Sequence, residues 1–165
     1  MLQDAVRRLQ AFLGTGEAAP HRVLSAAFPG LSYVWLKRRD KVAQAVSWYK
    51  AIQTGTFVGR HSRADGAGDE LQFDYAKIRY LFTALTSFEN AWKSYFAANG
   101  VTPLILHYED LSANYVDTVR SVVDFLGLTT EVEIARPKRE KYADAQSLAW
   151  IEQFKLQHNQ ARPTR

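Results

Sequence analysis

Two short apolar runs, LSYVWLK at 31–37 and TPLILHYED at 102–110, constrain the fold more than any other feature. Each is bounded by turn residues, Pro29-Gly30 ahead of the first and Asn99-Gly100 ahead of the second. Runs of this length, almost uninterrupted in apolar character, read as buried strands of a parallel sheet covered on both faces. A helical pattern follows each, so the expected class is α/β, helix-rich, with a parallel sheet flanked by helices. Two strands make a thin sheet. Either a further strand is hidden in the pattern, or the chain lacks part of the domain to which it belongs.

The helices follow from periodicity and stop signals. Leu2, Val6, Leu9 and Leu13 fall at helical spacing before Gly14 and Gly16, and GTGEAAP reads as a linker into a short helical piece over 21–28. Asp40 can cap a helix running to about Thr54, with Val42, Ala45, Val46 and Tyr49 inward. Residues 55–72 keep no apolar period and read as a mobile loop. Ile78, Leu81, Leu85, Phe88, Trp92 and Tyr95 then step by three and four along a core helix. A helix over 113–126 with Tyr115, Val119, Val122, Val123 and Leu126 inward stops at Gly127, with Asp110 or Ser112 as its cap. The last helix, 144–158, carries Leu148, Ile151 and Phe154.

Composition narrows the function classes. At 165 residues and 47% hydrophobic, the chain can bury one core as a single domain. With zero cysteines, disulfides and thiolate metal sites are excluded, and His21, His61, His107 and His158 show no metal-ligand spacing, so no metal is expected. The chain has neither a run of about 18 apolar residues nor the pattern of a signal peptide, which predicts a soluble, cytoplasmic protein without a membrane span.

The net charge of +4 says less than its distribution. Three basic clusters, KRRDK at 37–41, RHSR at 60–63 and RPKREK at 136–141, fall in turns or loops and are able to converge on one anion. The first sits where an α/β sheet gathers ligands, between the carboxyl end of a strand and a helix N-terminus. Arg38 and Arg39 offer a guanidinium fork there, and Ser47, two turns into the helix on the face of Asp40, a hydroxyl donor. On chemistry alone the same residues also fit a solvated turn in which Arg38 pairs with Asp40. Nucleic-acid binding is not expected, because Trp35, Trp92 and Tyr95 fall on apolar, core-facing positions rather than among the exposed charges.

Several segments, in order, carry a family resemblance. RRDKVAQAVSWYKAIQTG resembles the segment of the bacterial trehalose sulfotransferase family with the pattern R-x-D-K-x-x-Q-A-x-S. FPGLSYVWLKRRD, NAWKSYFAANGVTPLILHYEDL, VVDFLGL and KYADAQSLAWIEQF are similar to its site-forming strand, its long helix and next strand, a helix end and its closing helix. The resemblance covers about 22–156 and implies a partial P-loop-type sulfotransferase fold. It also implies transfer of a sulfuryl group from 3′-phosphoadenosine 5′-phosphosulfate (PAPS) to a carbohydrate hydroxyl. Carried over residue by residue, Arg38 and Ser47 bind the 3′-phosphate of PAPS. Arg39 is a partner, since the more distant cytosolic sulfotransferases space Arg and Ser as Arg39 and Ser47 are spaced here. Lys138, Arg139 and Lys141 fall where a basic C-terminal loop returns to the cofactor phosphates. The family implies a small carbohydrate or glycolipid acceptor, and a homodimer.

One departure stands beside these matches. The family's Arg-Ser-Gly-Ser or Arg-Ser-Gly-Thr loop, which cradles the 5′-phosphosulfate, has no counterpart ahead of Arg38, and the family's catalytic base lies in that same N-terminal part. The chain therefore looks like the C-terminal two-thirds of a sulfotransferase domain. No residue is assigned as catalytic: His61 reads as a loop histidine, His107 as packing, and Glu109 and Asp110 as residues that arrange the strand end. The alternative reading is a non-catalytic truncated remnant that binds adenosine bisphosphate or another polyanion.

Overall fold

The computed structural model of the chain describes residues 2–14, 16, 19–55, 71–128, 133–135 and 144–161. Helices α1 (Leu2–Leu13) and α2 (Pro20–Ala27) pack on one another, burying Val6 and Val23. Pro20 opens α2, where a missing N–H costs nothing. The chain then turns at Pro29-Gly30: Leu31 N–H donates to Phe28 C=O at 3.2 Å, and Gly30 at φ +75° supplies the left-handed residue of a type II turn. That turn feeds β1 (Val34–Lys37).

Asp40 caps α3 (Lys41–Thr54), its Oδ1 accepting Ala43 N–H at 2.8 Å, and Gly55 at φ +64° ends the helix in the left-handed conformation that glycine adopts without strain. Asp74 caps α4 (Tyr75–Ala98) in the same way. β2 (Leu104–His107) runs straight into α5 (Tyr108–Ala113), followed by α6 (Tyr115–Phe125) and α7 (Ala145–Gln160), the last capped by Asp144. β1 and β2 pair in parallel, from Val34↔Leu104 to Lys37↔His107, so the expected α/β class with a parallel, helix-flanked sheet holds.

The core lies among α3, α4 and α7, where Ala45, Val46, Tyr49, Ile78, Leu81, Trp150 and Phe154 are buried together. Lys50, late in α3, pairs with Asp144 at the start of α7. The field of Asp40, at the start of α3, reaches Lys155, late in α7, so the two helices run antiparallel. Helix α4, about 36 Å long at 1.5 Å per residue, joins this core to the sheet. Its Phe96 packs against Trp35 at 5.4 Å and Tyr33 at 5.7 Å between ring centroids, and its Glu89 pairs with Lys37. Tyr33, Trp35 and Lys37 alternate along one strand, so α4 covers a single face of the sheet.

Four expectations need correction. The strands are not covered on both faces among the described residues: Val34 and Leu36, pointing away from α4, are 42% and 51% exposed. Phe88 and Trp92 are exposed on α4, and Phe96 is buried instead. Steps of three and four that begin and end on a three fall short of 3.6 residues per turn, so the stripe rotates by about 100° between Ile78 and Tyr95. On α7 the buried pair is Trp150 and Phe154, one turn apart, while Leu148 is 54% exposed. Finally, the helix read over 113–126 is α6 (Tyr115–Phe125), but Leu126 lies exposed beyond its end, and neither Asp110 nor Ser112 caps it: Asn114 (φ −133°, ψ 62°) stands at its start without a side-chain cap bond. The loop read over 55–72 lies outside the described residues except at its ends, and so do His61, Lys138, Arg139 and Lys141.

Candidate functional site

The register Lys37↔His107 sets the carboxyl ends of the two strands side by side, so the segments that follow them meet. From β1 comes the loop Arg38, Arg39, Asp40; from β2 come Tyr108, Glu109 and Asp110, the first turn of α5. Arg39 gives its backbone N–H to both oxygens of Glu109, at 3.2 and 3.1 Å, and Asp40 N–H reaches Oε1 at 3.5 Å. The Arg39 guanidinium donates to both oxygens of Asp110, each at 2.7 Å, a bidentate pair out in solvent. Arg38 is placed differently. Its guanidinium lies over the Tyr108 ring, 4.9 Å from the centroid, with Nε 3.7 Å from Glu109 Oε1. That Nε is buried and has no hydrogen-bond partner among the described residues.

Beside the loop, against α4, opens a cleft of about 340 Å³ whose walls, among the described residues, carry Lys37, Arg38, Arg39, Lys41 and Lys93 with one carboxylate, Glu89. Glu89 accepts from Lys41 at 2.6 Å, Lys37 at 3.0 Å and Lys93 at 3.2 Å. Partial burial alone would push its carboxyl up, but the hydrogen bonds from Lys41, Lys37 and Lys93 outweigh this and hold it at about 2. Glu109 is also pushed up by burial and brought below its ordinary value by the backbone N–H groups, Arg39's first. The Arg39 hydrogen bond, against some desolvation, lowers Asp110. Lys41 additionally donates to Arg38 C=O at 2.7 Å, bracing the loop from its far side. His107 lines the cleft as well, 3.8 Å from Asp110, rather than packing in a core.

Of the candidate residues, Arg38 and Arg39 thus share one cleft. Ser47 is exposed on α3, about 10 Å along the helix axis from Asp40, and is not part of the cleft wall. The reading of Arg38 paired with Asp40 gives way to Arg38 facing Glu109, because Asp40 is occupied as a helix cap. Glu89 and Lys93 were missed from sequence; their i, i+4 spacing on one helix was the only local signal. Among the described residues, no group of three His, Cys, Asp or Glu side chains is placed to hold a metal, and no helix is long and apolar enough to cross a membrane.

A sequence model described as Stf0 sulphotransferase matches residues 2–157. The chain belongs to the Stf0 sulphotransferase family. This match begins well ahead of residue 22, so α1 and α2 fall within the Stf0 region. Trehalose 2-sulfotransferase of Mycolicibacterium smegmatis is 29% identical over 142 residues, covering 86% of this chain and 51% of that protein. Trehalose 2-sulfotransferase of Mycobacterium tuberculosis is 29% identical over 158 residues, covering 95% of this chain and 57% of that protein. The chain spans about half the length of the curated relatives it matches.

Proposed function

We propose that this Stf0-family chain contributes the 3′-phosphate half of a PAPS site in an enzyme that sulfates a carbohydrate hydroxyl. The observation that carries the reading is Arg38: a guanidinium at the carboxyl ends of two parallel strands, oriented by an aromatic face and lining the cleft, with its Nε edge towards Glu109, while neighbouring Arg39 is consumed by Asp110. A planar fork of this kind suits a phosphate better than a lysine does. The polar, cation-rich wall fits a polyanionic nucleotide, and Ser47, exposed on α3 outside that wall, is assigned its hydroxyl contact by the family pattern alone. Arg139 and Lys141 are assigned secondary contacts to the phosphates, and Arg39, held by Asp110, a supporting place beside Arg38.

In the reaction, the acceptor hydroxyl oxygen bonds to sulfur as the bond from sulfur to the 5′-phosphate oxygen breaks, releasing adenosine 3′,5′-bisphosphate. Negative charge grows on that leaving phosphate, and fixed cations lower the barrier by meeting it there. The acceptor's proton passes to a base, a role given to none of these residues. The names of the two relatives support a small carbohydrate such as trehalose as acceptor.

Adenosine 3′,5′-bisphosphate at about ten times its dissociation constant should stabilise the folded chain by ~1.4 kcal/mol, which raises the melting temperature by roughly 3–6 °C. Arg38→Ala should abolish the shift. A folded wild type that shows no shift at millimolar nucleotide contradicts the half-site.

A further inference from the structure

We propose that Glu109 is a positioning residue for Arg38, a role that rests on reading Arg38 as the phosphate grip. The loop between β1 and α3 holds two adjacent arginines and two backbone N–H groups, those of Arg39 and Asp40, that precede the first turn of the helix. Left to itself it would be held apart by like charge and solvated in many forms. The Glu109 carboxylate removes both freedoms at once, taking the Arg39 N–H at 3.2 and 3.1 Å and the Asp40 N–H at 3.5 Å while standing 3.7 Å from Arg38 Nε. Tyr108, one residue earlier, fixes the plane of the guanidinium. Two consecutive residues of α5 therefore set the plane and the edge of Arg38, and the carboxylate engages the Nε edge, away from the terminal nitrogens that make a bidentate phosphate contact.

The other carboxylates have separate tasks. Asp110 occupies Arg39, and Glu89 pins Lys37 and Lys41, the residues on either side of the loop. Among the described carboxylates, Glu109 alone engages the loop backbone and the Arg38 side chain together. By charge alone its removal would make the site more positive and tighten the grip on any anion. A positioning role predicts the opposite sign, and the preference for a 3′-phosphate is the quantity that falls.

The test titrates adenosine 3′,5′-bisphosphate and adenosine 5′-monophosphate into the wild type, Arg38→Ala, Glu109→Gln, Glu109→Ala and Glu109→Asp, each shown folded by its melting transition. Glu109→Ala should lose roughly tenfold of the preference for the bisphosphate. Glu109→Gln, which keeps an acceptor for the N–H groups, should lose less, and Glu109→Asp should recover part. Affinity for the monophosphate should stay within about twofold throughout, a pattern that general loosening would not give. An unchanged or increased preference in Glu109→Gln and Glu109→Ala, or an equal loss for both nucleotides, overturns the proposal. If Arg38→Ala keeps the preference, the phosphate reading fails and the proposal falls with it. If Arg38→Ala loses it while the Glu109 variants keep it, only the positioning role fails. Should Glu109→Ala not fold, Glu109→Gln and Glu109→Asp decide the matter.

Discussion

Glu89 shows how much of this cleft rests on one side chain. Its carboxyl is held at about 2 against an ordinary 4.5, so its contribution to stability is present above about pH 4.5 and is lost as pH falls towards 2. The depression corresponds to on the order of 3 kcal/mol at most. Unfolding free energies of the wild type and Glu89→Gln should therefore differ at pH 6 and converge as the pH is taken down to 2; a constant difference across that window would contradict the tri-lysine account. The placing of Arg38 beside the Asp40 cap was legible in sequence because it is local, within one loop; Ser47, two helical turns on, lies outside the cleft. Glu89 and Glu109 reach the loop from far along the chain, and nothing in a local pattern announces which lysine or N–H a distant carboxylate will meet.

The elements were read well where local chemistry decides them. Asp40, Asp74 and Asp144 each cap a helix with a side-chain oxygen, and two of those caps fell at the helix starts expected from sequence. Asp144 also pairs with Lys50, a hydrogen bond that outweighs some desolvation and holds its carboxyl at about 2. The Asp144 side chain is 59% exposed, so the ion pair is partly screened by solvent and the cap contributes beside it. Asp144→Ala should cost about 1–2 kcal/mol and Asp144→Asn, which keeps a capping oxygen, under about 1 kcal/mol, as read by urea unfolding. Element boundaries were harder. Tyr108 to Asp110 read as the end of a strand because Tyr108 prolongs an apolar run, yet the chain turns helical at Tyr108, which is what delivers Glu109 and Asp110 to the arginines. The helix expected from about residue 113 is α6, set off from α5 at Asn114.

At the scale of the molecule, α4 links a three-helix core to a two-stranded sheet in which, among the described residues, Val34 and Leu36 of β1 stand open while α6 lies against β2. Removing Phe154, fully buried at the centre of that core, should cost about 3–5 kcal/mol as Phe154→Ala. Leu36→Ala, on the open face at 51% exposure, should cost under about 1 kcal/mol in this chain, where a strand covered on both sides would lose 2–5 kcal/mol. A large loss at Leu36 would mean that the open face is covered in solution. The apolar strand runs do announce a parallel sheet, but which face is covered depends on where a crossover helix lies, and that is a property of the whole chain.

The central claim, that Arg38 grips a 3′-phosphate, is tested most directly by a crystal structure of the chain with adenosine 3′,5′-bisphosphate. The account predicts 3′-phosphate oxygens about 2.7–2.9 Å from the terminal nitrogens of Arg38, with Glu109 still bonded to the loop N–H groups. A nucleotide whose 3′-phosphate lies instead against Lys93, or nowhere near the 38–40 loop, would contradict it.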